Sequence, residues 1–416
     1  MHIDEDRLPL AGIRVLEFGN YIAGPTAGRV LADFGAEVIK VERPERGDEL
    51  RTWRLYRGRV SMLFHTINRN KKSIVLDLRS PTGQEIALDL VRQCEVVIEN
   101  FRPGTLEKWG LGPEQLEAAN PDVVLARISA FGQTGPLADR RGFAAVAEAY
   151  GGLRHLVGEP DRPPSRVGVS IGDSIAGLHT ALGVVMSLLQ KASRGNSPRR
   201  SPLASRTVDV ALHEAVFSMM ESLVPDYLAY GTHRERVGGR MEGIAPTNAY
   251  QCADGHSVVV AGNGDSIFRR YMRAIGRPEL ADDPGLQDNA SRWNRRDELD
   301  AAIEEWTRTL SRDEVLRTLD EAGVPAGPIN TAADICAEEQ YRARGMIQPL
   351  KVDTGAEQPS EIGFPGVVPV LGGESLPLRN PAPELGAHTR EVLADLLGKD
   401  DREIDEVLDE MEQRVA

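Results

Sequence analysis

Residues 13–42, IRVLEFGNYIAGPTAGRVLADFGAEVIKVE, decide the fold class of this chain. Apolar residues at 13–18 predict a strand, a turn containing glycine and proline follows at 19–25, and 26–34 have the pattern of a helix. Residues 37–42 predict a second strand, so the segment is a β-α-β unit with parallel strands. Apolar runs at 73–78, 96–99 and 123–128 extend the predicted sheet. The predicted class is α/β, Rossmann-like in outline.

The pattern changes in the second half of the chain. Residues 191–206, KASRGNSPRRSPLASR, predict a solvated loop, and 208–223 return to helical periodicity. A strand at 257–261 with helices near 266–275, 296–310 and 312–322 predicts a separate α+β domain. Turns rich in proline and glycine are expected from 330 to 383, followed by helices at 389–397 and from 401.

Composition and charge exclude several classes of function. The 416 residues are 41% hydrophobic and 27% charged, and the net charge of -14 disfavours nucleic-acid binding, which needs a basic face. The cysteines Cys94, Cys252 and Cys336 show no zinc spacing, so we expect no metal and a cytoplasmic location. The chain has no run of about 18 apolar residues and an acidic start, so we expect neither membrane insertion nor secretion. The turn at 19–25 lacks the GxGxxG spacing of NAD-binding proteins.

The stretch 168–189, GVSIGDSIAGLHTALGVVMSLL, contains the candidate catalytic residue. Asp173 precedes an apolar pattern of helical period, so it lies at a helix N-terminus, where backbone N–H groups and the helix dipole favour an ionised carboxylate. Asp173 is therefore either an ordinary N-cap or a nucleophile, to which Gly172 gives a substrate close access. The predicted buried face of this helix consists of Ile175, Leu178, Leu182, Val185, Met186 and Leu189.

An ordered set of motifs resembles the class III CoA-transferases, the CaiB/BaiF family that includes formyl-CoA transferase and the carnitine CoA-transferase. The matches cover nearly the whole chain: GIRVLEF (12–18), AGP (23–25), DFGAEVIKVE (33–42), LDL (76–78), ENFRPG (99–104), GD (172–173), GLH (177–179), GVPAGP (323–328) and GAHT (386–389). The resemblance favours Asp173 as the nucleophile over the N-cap interpretation.

The activity implied by the resemblance is transfer of CoA from an acyl-CoA thioester to a carboxylic acid. Asp173, whose ordinary pKa of about 3.9 leaves it ionised at neutral pH, would form a mixed anhydride with the acyl group and then an aspartyl-CoA thioester. Each intermediate keeps the acyl activation, so coenzyme A enters as acyl-CoA substrate and no metal is needed. The residues around Asp173 look like members of the family that handle succinyl-CoA and dicarboxylates of four or five carbons.

The resemblance also implies where CoA binds. Arg43 matches an arginine at the nucleotide end of CoA, and cations suit its phosphates. Three more basic residues match positions lining the site, although each alone fits an ordinary surface residue: Arg79, Lys108 and Arg141. Six residues match positions around the adenine, the pantetheine and the thioester, where core packing and an ordinary turn are the alternatives: Leu76, Asn100, Phe101, Asn20, Tyr21 and Ala23.

Departures from the family pattern bear on specificity. Ala144 stands where many members carry an acid, and Ile22 stands where formyl-CoA transferase has a glutamine, which argues against oxalate or formyl substrates. Phe143 stands where the related α-methylacyl-CoA racemases have a histidine, and a phenyl ring cannot transfer a proton. Racemase-like chemistry and non-catalytic CoA binding remain alternatives to CoA transfer.

The resemblance finally implies a domain organisation and a quaternary structure. It divides the chain into a large CoA-binding domain (1–224), a small domain (225–335) and a C-terminal part that returns to the large domain (336–416). Two chains are expected to form an interlocked homodimer. Gly238, Gly239 and Gly243 resemble, by position and glycine content, a mobile segment that covers the reaction intermediate.

Overall fold

Thirteen strands are present in the computed structural model, which describes residues 7–57, 60–194, 202–354 and 358–413. In chain order they are β1 (Arg14–Glu17), β2 (Glu37–Glu42), β3 (Tyr56–Arg57), β4 (Val60–Ser61), β5 (Lys71–Val75), β6 (Val96–Glu99), β7 (Val124–Ser129), β8 (Thr207–Ala211), β9 (Thr247–Gln251), β10 (Ser257–Ala261), β11 (Ala326–Pro328), β12 (Ile347–Val352) and β13 (Ser360–Pro365).

The helices within the same described ranges alternate with these strands in the first half of the chain and dominate the second half. They are α1 (Ala23–Asp33), α2 (Met62–Asn68), α3 (Pro81–Val91), α4 (Thr105–Lys108), α5 (Pro113–Ala119), α6 (Ala144–Tyr150), α7 (Leu153–Leu156), α8 (Ile171–Arg194), α9 (Leu212–Phe217), α10 (Leu223–Tyr230), α11 (Asp265–Ala274), α12 (Pro278–Ala281), α13 (Asn289–Asn294), α14 (Arg296–Thr307), α15 (Arg312–Glu321), α16 (Ala332–Ala337), α17 (Glu339–Ala343), α18 (Thr389–Leu397) and α19 (Asp401–Gln413).

The main sheet has the strand order β5-β2-β1-β6-β7-β8, and every neighbouring pair is parallel. Counted along the chain, this is the order 3-2-1-4-5-6 of Rossmann folds. The predicted α/β class is confirmed. Because the strand order reverses between β1 and β6, the carboxyl ends of these two strands border a crevice where such sheets bind ligands.

Both faces of the sheet are covered. One face packs on α1 and α8 through residues such as Leu31 and Val184, and the other packs on α3, α18 and α19 through residues such as Leu90 and Val407. Strands in the middle of the sheet, such as β6 (VVIE) and β7 (VLARIS), are therefore largely apolar, as expected for parallel strands buried on both sides.

Helix α8 begins at Ile171, so Asp173 is its third residue and the N-cap interpretation is wrong, although the prediction of a helix N-terminus is confirmed. The buried face is formed by small residues. A Cβ atom at Gly177 would lie 2.7 Å from the Cβ of Thr26 in α1, which shows how closely the two helices approach. The predicted buried face is wrong in the single chain because this close packing turns its larger members outward, 39–66% exposed: Leu178, Leu182, Val185, Met186 and Leu189.

The residues Ile171–Ser193 of α8 form the one helix in the described parts of the chain that is long and apolar enough to cross a membrane. This test considers length and composition alone. The helix packs on α1, β7 and β8, as a helix that covers a sheet does. The absence of a membrane segment stays a prediction.

Several local predictions are wrong. Residues 208–211 belong to strand β8, because the alternating TVDVA pattern pairs with β7 and the helix α9 begins only at Leu212. The region 330–383 contains α16, α17 and the antiparallel pair β12–β13 as well as turns. Residues 191–194 continue α8, whereas 195–201 of the predicted loop lie outside the described residues.

Contacts divide the chain into two units. The first combines Met1–Leu153, Gly168–Glu221 and Glu339–Ala416, and the second combines Arg154–Val167 with Ser222–Glu338. The second unit has the antiparallel sheet β11-β10-β9 and a core that extends from Tyr250 to Val324 and includes α11, α14 and α15. It is an α+β unit, as predicted. The boundaries predicted from the sequence stay a prediction.

Candidate active site

A cleft of about 440 Å³ lies at the carboxyl ends of four parallel strands in the first unit. Its walls come from the segments that follow β1, β2, β5 and β6, which is the edge where the strand order reverses. The cleft brings together five of the residues predicted to bind CoA: Asn20, Arg43, Leu76, Arg79 and Phe101.

The rim of the cleft carries arginine side chains. Arg43 donates a hydrogen bond to the carbonyl of Gly47 at 3.0 Å and forms an ion pair with Glu49 at 2.8 Å. Arg79 lies 2.8 Å from Asp77, whose hydrogen bond raises the pKa of the guanidinium. Both side chains are half or more exposed, so a phosphate that reached the rim could bind them without displacing buried structure.

The inner wall of the cleft is apolar. Leu76 is 1% exposed, and the rings of Phe101 and Trp109 meet edge to face with their centroids 5.1 Å apart. Leu76 therefore belongs to the core and lines the cleft at the same time, and its contact with CoA stays a prediction.

An asparagine pair ties the two strands at the reversal point together. Asn100 accepts a hydrogen bond from the backbone N–H of Asn20 at 2.8 Å and donates one to the Asn20 carbonyl at 2.7 Å. Both bonds fix the backbone rather than the side chain of Asn20, whose side chain remains among the cleft residues.

The next residue, Tyr21, adopts a φ of +60°, a left-handed conformation that costs a non-glycine residue about 1–3 kcal/mol. Its backbone N–H donates to Asp48 Oδ1 at 3.0 Å. Burial raises the pKa of the Tyr21 phenol, and the carboxylates of Glu49 and Asp48 add to the rise. The phenol therefore stays protonated at neutral pH and can donate a hydrogen bond.

Buried charges lie directly beneath this turn. Lys40, fully buried in β2, lies 2.8 Å from Asp48 and 3.2 Å from Glu17, and it donates to the carbonyl of Gly19 at 2.5 Å. Burial lowers the pKa of Lys40, but the nearby carboxylates, with Asp48 first, raise it by more, so the net shift is upward. A second buried lysine, Lys71, donates to both oxygens of Glu17.

Asp173 is half-buried and belongs to the same unit as the cleft. Gly177, one helical turn after it, packs on Ala23, because a Cβ atom there would lie 2.8 Å from the Ala23 carbonyl oxygen. Close access of substrate at Gly172 is not what the structure shows, since a Cβ atom there would meet Val216 at 3.3 Å. The missing side chain of Gly172 allows helix packing instead.

Two of the predicted basic residues lie away from the cleft walls. Lys108 ends α4 next to Trp109 and is exposed. Arg141 is exposed and precedes Gly142, and neither basic residue lines the cleft.

The glycine-rich segment belongs to the second unit. Gly238 and Gly243 have positive φ angles of 70° and 76°, which glycine adopts without strain. Between them, Arg240 is bound to Asp300 at 2.6 Å and to Asp297 at 2.7 Å. These ion pairs anchor the segment to α14.

Within the described residues, no group of three or more His, Cys, Asp or Glu side chains could hold a metal ion. The model of CoA-transferase family III matches residues 10–389 of the chain. The chain belongs to CoA-transferase family III. Membership confirms the resemblance and makes the protein an enzyme, so the alternative of a non-catalytic CoA-binding protein is wrong.

Relatives of this family III CoA-transferase extend over nearly its whole length. It is 44% identical to the succinyl-CoA–D-citramalate CoA-transferase of Chloroflexus aurantiacus, with 94% of each chain covered. It is 35% identical to the succinate–glutarate CoA-transferase of Agrobacterium fabrum, over 93% of this chain and 96% of the relative. The crystal structure of a CAIB/BAIF family protein from Brucella suis has a TM-score of 0.80 at 36% identity, over 94% and 99% of the two chains.

Sequence reasoning missed several residues that the structure of this CoA-transferase places at or beside the site. Trp109 and Arg46 line the cleft, and Lys40 and Asp48 support the turn. Trp109 directly follows the predicted Lys108, and Arg46 lies three residues after the predicted Arg43, so these two could have been included from their position in the sequence. The lysine of β2 has no such signal, because a single charge in a strand ordinarily indicates a solvent-facing position.

Proposed function

We propose that the enzyme transfers CoA from succinyl-CoA to a dicarboxylic acid of four or five carbons, with Asp173 as the nucleophile. The names of the relatives support the substrate class, since one acts with D-citramalate and one with glutarate. The assignment of Asp173 as the nucleophile rests on its position in the first turn of α8. This turn lies one helical turn before the contact of Gly177 with Ala23, which belongs to the segment that follows β1.

The chemistry proceeds through two exchanges at one carboxylate. An oxygen of Asp173 attacks the thioester carbonyl, the carbon–sulfur bond breaks, and CoA leaves as a thiolate. The thiolate then attacks the aspartyl carbonyl, which releases succinate and leaves an aspartyl-CoA thioester. The acceptor carboxylate attacks this thioester, CoA thiolate leaves, and its return to the acceptor carbonyl of the new anhydride frees Asp173. No proton, electron or phosphate is consumed in the cycle.

The cleft supports a consistent orientation for CoA. Arg43 and Arg79 would bind phosphates at the rim, while Leu76 and Phe101 would pack against the adenine and pantetheine. The turn that the asparagine pair holds would lie beside the thioester. Neither Lys108 nor Arg141 touches the cleft, so both would bind only the outermost parts of CoA.

Phe143 favours transfer over racemisation. Its ring is 69% exposed and contacts Tyr21 edge to face at 6.1 Å. A phenyl ring cannot move a proton, so the paired proton transfer of a racemase lacks one of its two groups at this position.

The exposed apolar stripe of α8 supports the predicted homodimer. Its five outward-facing residues, defined above from Leu178 to Leu189, would be shielded from water by a second copy. The interlocked arrangement itself rests on the resemblance.

Covalent trapping tests the proposed reaction. The enzyme is incubated with succinyl-CoA and then hydroxylamine, and peptide mass spectrometry should find a hydroxamate at Asp173. The Asp173→Asn variant should give no adduct and no transfer. The matched control is Asp313→Asn, which changes an exposed acid in the first turn of α15 and should retain both. Transfer that persists in Asp173→Asn would refute the assignment.

A further inference from the structure

Arg54 lies in an exposed segment between the turn Glu49–Thr52 and β3, with a left-handed φ of +62°. Its Nη2 donates a hydrogen bond to Ser170 Oγ at 2.9 Å, and Ser170 itself is buried. Ser170 directly precedes α8, and Asp173 follows three residues later. Residues three apart at a helix start lie on one side of the helix, so the guanidinium contacts the residue one turn before the nucleophile.

Unlike Arg51 and Arg43, Arg54 has no acidic partner among the described residues. Arg51, in the same segment, is bound to Glu42 through two hydrogen bonds, and Arg43 is paired with Glu49. Across the described residues, Arg54 has no carboxylate within ion-pair distance, and its one hydrogen bond goes to a neutral hydroxyl. A guanidinium has five N–H donors in a planar fork that matches a carboxylate, and most of these donors face no acceptor among the described residues.

An aromatic ring contacts this cation and connects it to the turn at Tyr21. Its guanidinium carbon lies 5.3 Å from the centre of the Trp53 ring, and Trp53 meets Tyr21 edge to face at 5.9 Å. Tyr21 belongs to the turn proposed to lie beside the thioester, and its other edge contacts Phe143. The contact with Trp53 helps to orient the guanidinium while leaving it accessible to an anion.

We propose that Arg54 binds the free carboxylate of the dicarboxylyl group while the other end reacts at Asp173, and so selects diacids over monoacids. This inference rests on the proposed function. A dicarboxylyl thioester has one reacting carbonyl and one carboxylate, and the site offers the nucleophile of α8 and, a helical turn away, the guanidinium of Arg54. A monoacyl group of equal length leaves Arg54 without an anion.

The test compares succinyl-CoA with butyryl-CoA, which has the same chain length and no free carboxylate. Single-turnover formation of the hydroxylamine-trapped adduct is timed for each donor, because this measurement also captures slow donors. The quantity compared is the maximal rate constant of adduct formation divided by the donor concentration that gives half of that rate. In Arg54→Leu we expect this ratio to fall roughly 10- to 100-fold for succinyl-CoA. The value for butyryl-CoA should stay within about threefold of wild type.

Two further variants control for folding and charge. Arg57→Leu removes the nearby exposed arginine of β3 and should leave the succinyl/butyryl ratio unchanged. Arg54→Lys, which keeps the charge but loses the fork, should lie between wild type and Arg54→Leu. An equal loss for both donors in Arg54→Leu, or an unchanged ratio, would overturn the proposal. If wild-type enzyme forms no adduct with either donor, the proposed reaction itself fails.

Discussion

Replacing Lys40 by methionine should lower the free energy of unfolding of the first unit by about 3–5 kcal/mol. The side chain is fully buried, with Asp48 at 2.8 Å and Glu17 at 3.2 Å. Methionine has a similar shape, so the substitution leaves little cavity. The loss of stability comes mainly from Asp48 and Glu17, two buried carboxylates that lose the positive charge of Lys40. The hydrogen bond to the Gly19 carbonyl is lost as well.

Lys72→Met provides a matched control one strand away. Lys72 in β5 also contacts two carboxylates, Glu37 at 2.8 Å and Glu391 at 2.7 Å, but its side chain is 32% exposed. Water can solvate the carboxylates that remain, so the expected loss is about 0–1 kcal/mol. The two substitutions thus change the same number of ion pairs at different depths.

Urea denaturation of both variants, with hydrogen exchange of peptides from β1 and β2, measures the difference and assigns it to the first unit. Asp48, the partner of Lys40, also accepts a hydrogen bond from the backbone N–H of Tyr21, in the turn proposed to lie beside the thioester. Lys40→Met should therefore also raise the KM for acyl-CoA of the enzyme that remains folded. Equal losses of stability in Lys40→Met and Lys72→Met would refute the reasoning from burial.

Three other substitutions test separate features of the structure. Gly28→Ala should destabilise the protein by about 1–3 kcal/mol in thermal or urea denaturation, because its Cβ would lie 1.8 Å from Glu17 Oε2; Gly327→Ala, with open space, should not. Burial lowers the pKa of His388, and its neutral ring accepts a hydrogen bond at Nδ1 from a backbone N–H of β5. The folded protein therefore favours the neutral ring, and the stability that this ring contributes is present above pH 6.5 and is lost as the pH falls below that value. Denaturation from pH 7.5 to 5 should show a smaller acid loss in His388→Asn than in wild type, and equal slopes would contradict this. Leu182→Glu on the exposed stripe of α8 should convert the proposed homodimer to monomers in sedimentation experiments, whereas an unchanged mass would remove the stripe from the interface.

The parallel sheet could be predicted from the sequence because strands buried on both faces leave continuous apolar runs. The cleft residues were named from the family resemblance, and the parallel sheet explains why they meet, since the segments after parallel strands lie at one edge. Asn20, Arg43, Leu76, Arg79 and Phe101 come together in this way.

Helix α8 shows where periodicity fails. Its apolar stripe has the spacing of a buried face, but the close approach at Gly177 requires small residues against α1, and the larger ones point outward. A pattern of spacing cannot distinguish packing within a chain from packing between chains. Likewise, no spacing rule indicates that Lys40 would be buried between Asp48 and Glu17, because these partners are distant in sequence.

The helices that cover the main sheet come partly from the end of the chain, which affects the order of events during translation. The core of the first unit includes Leu16 and Val407, and the strand β5 is bound to His388, 315 residues downstream of Ser73. The core of the second unit, from Tyr250 to Val324, is complete long before the ribosome reaches α18. The nascent chain therefore carries a parallel sheet with one face only partly covered until α18 and α19 emerge, and this interval is when chaperone protection matters most.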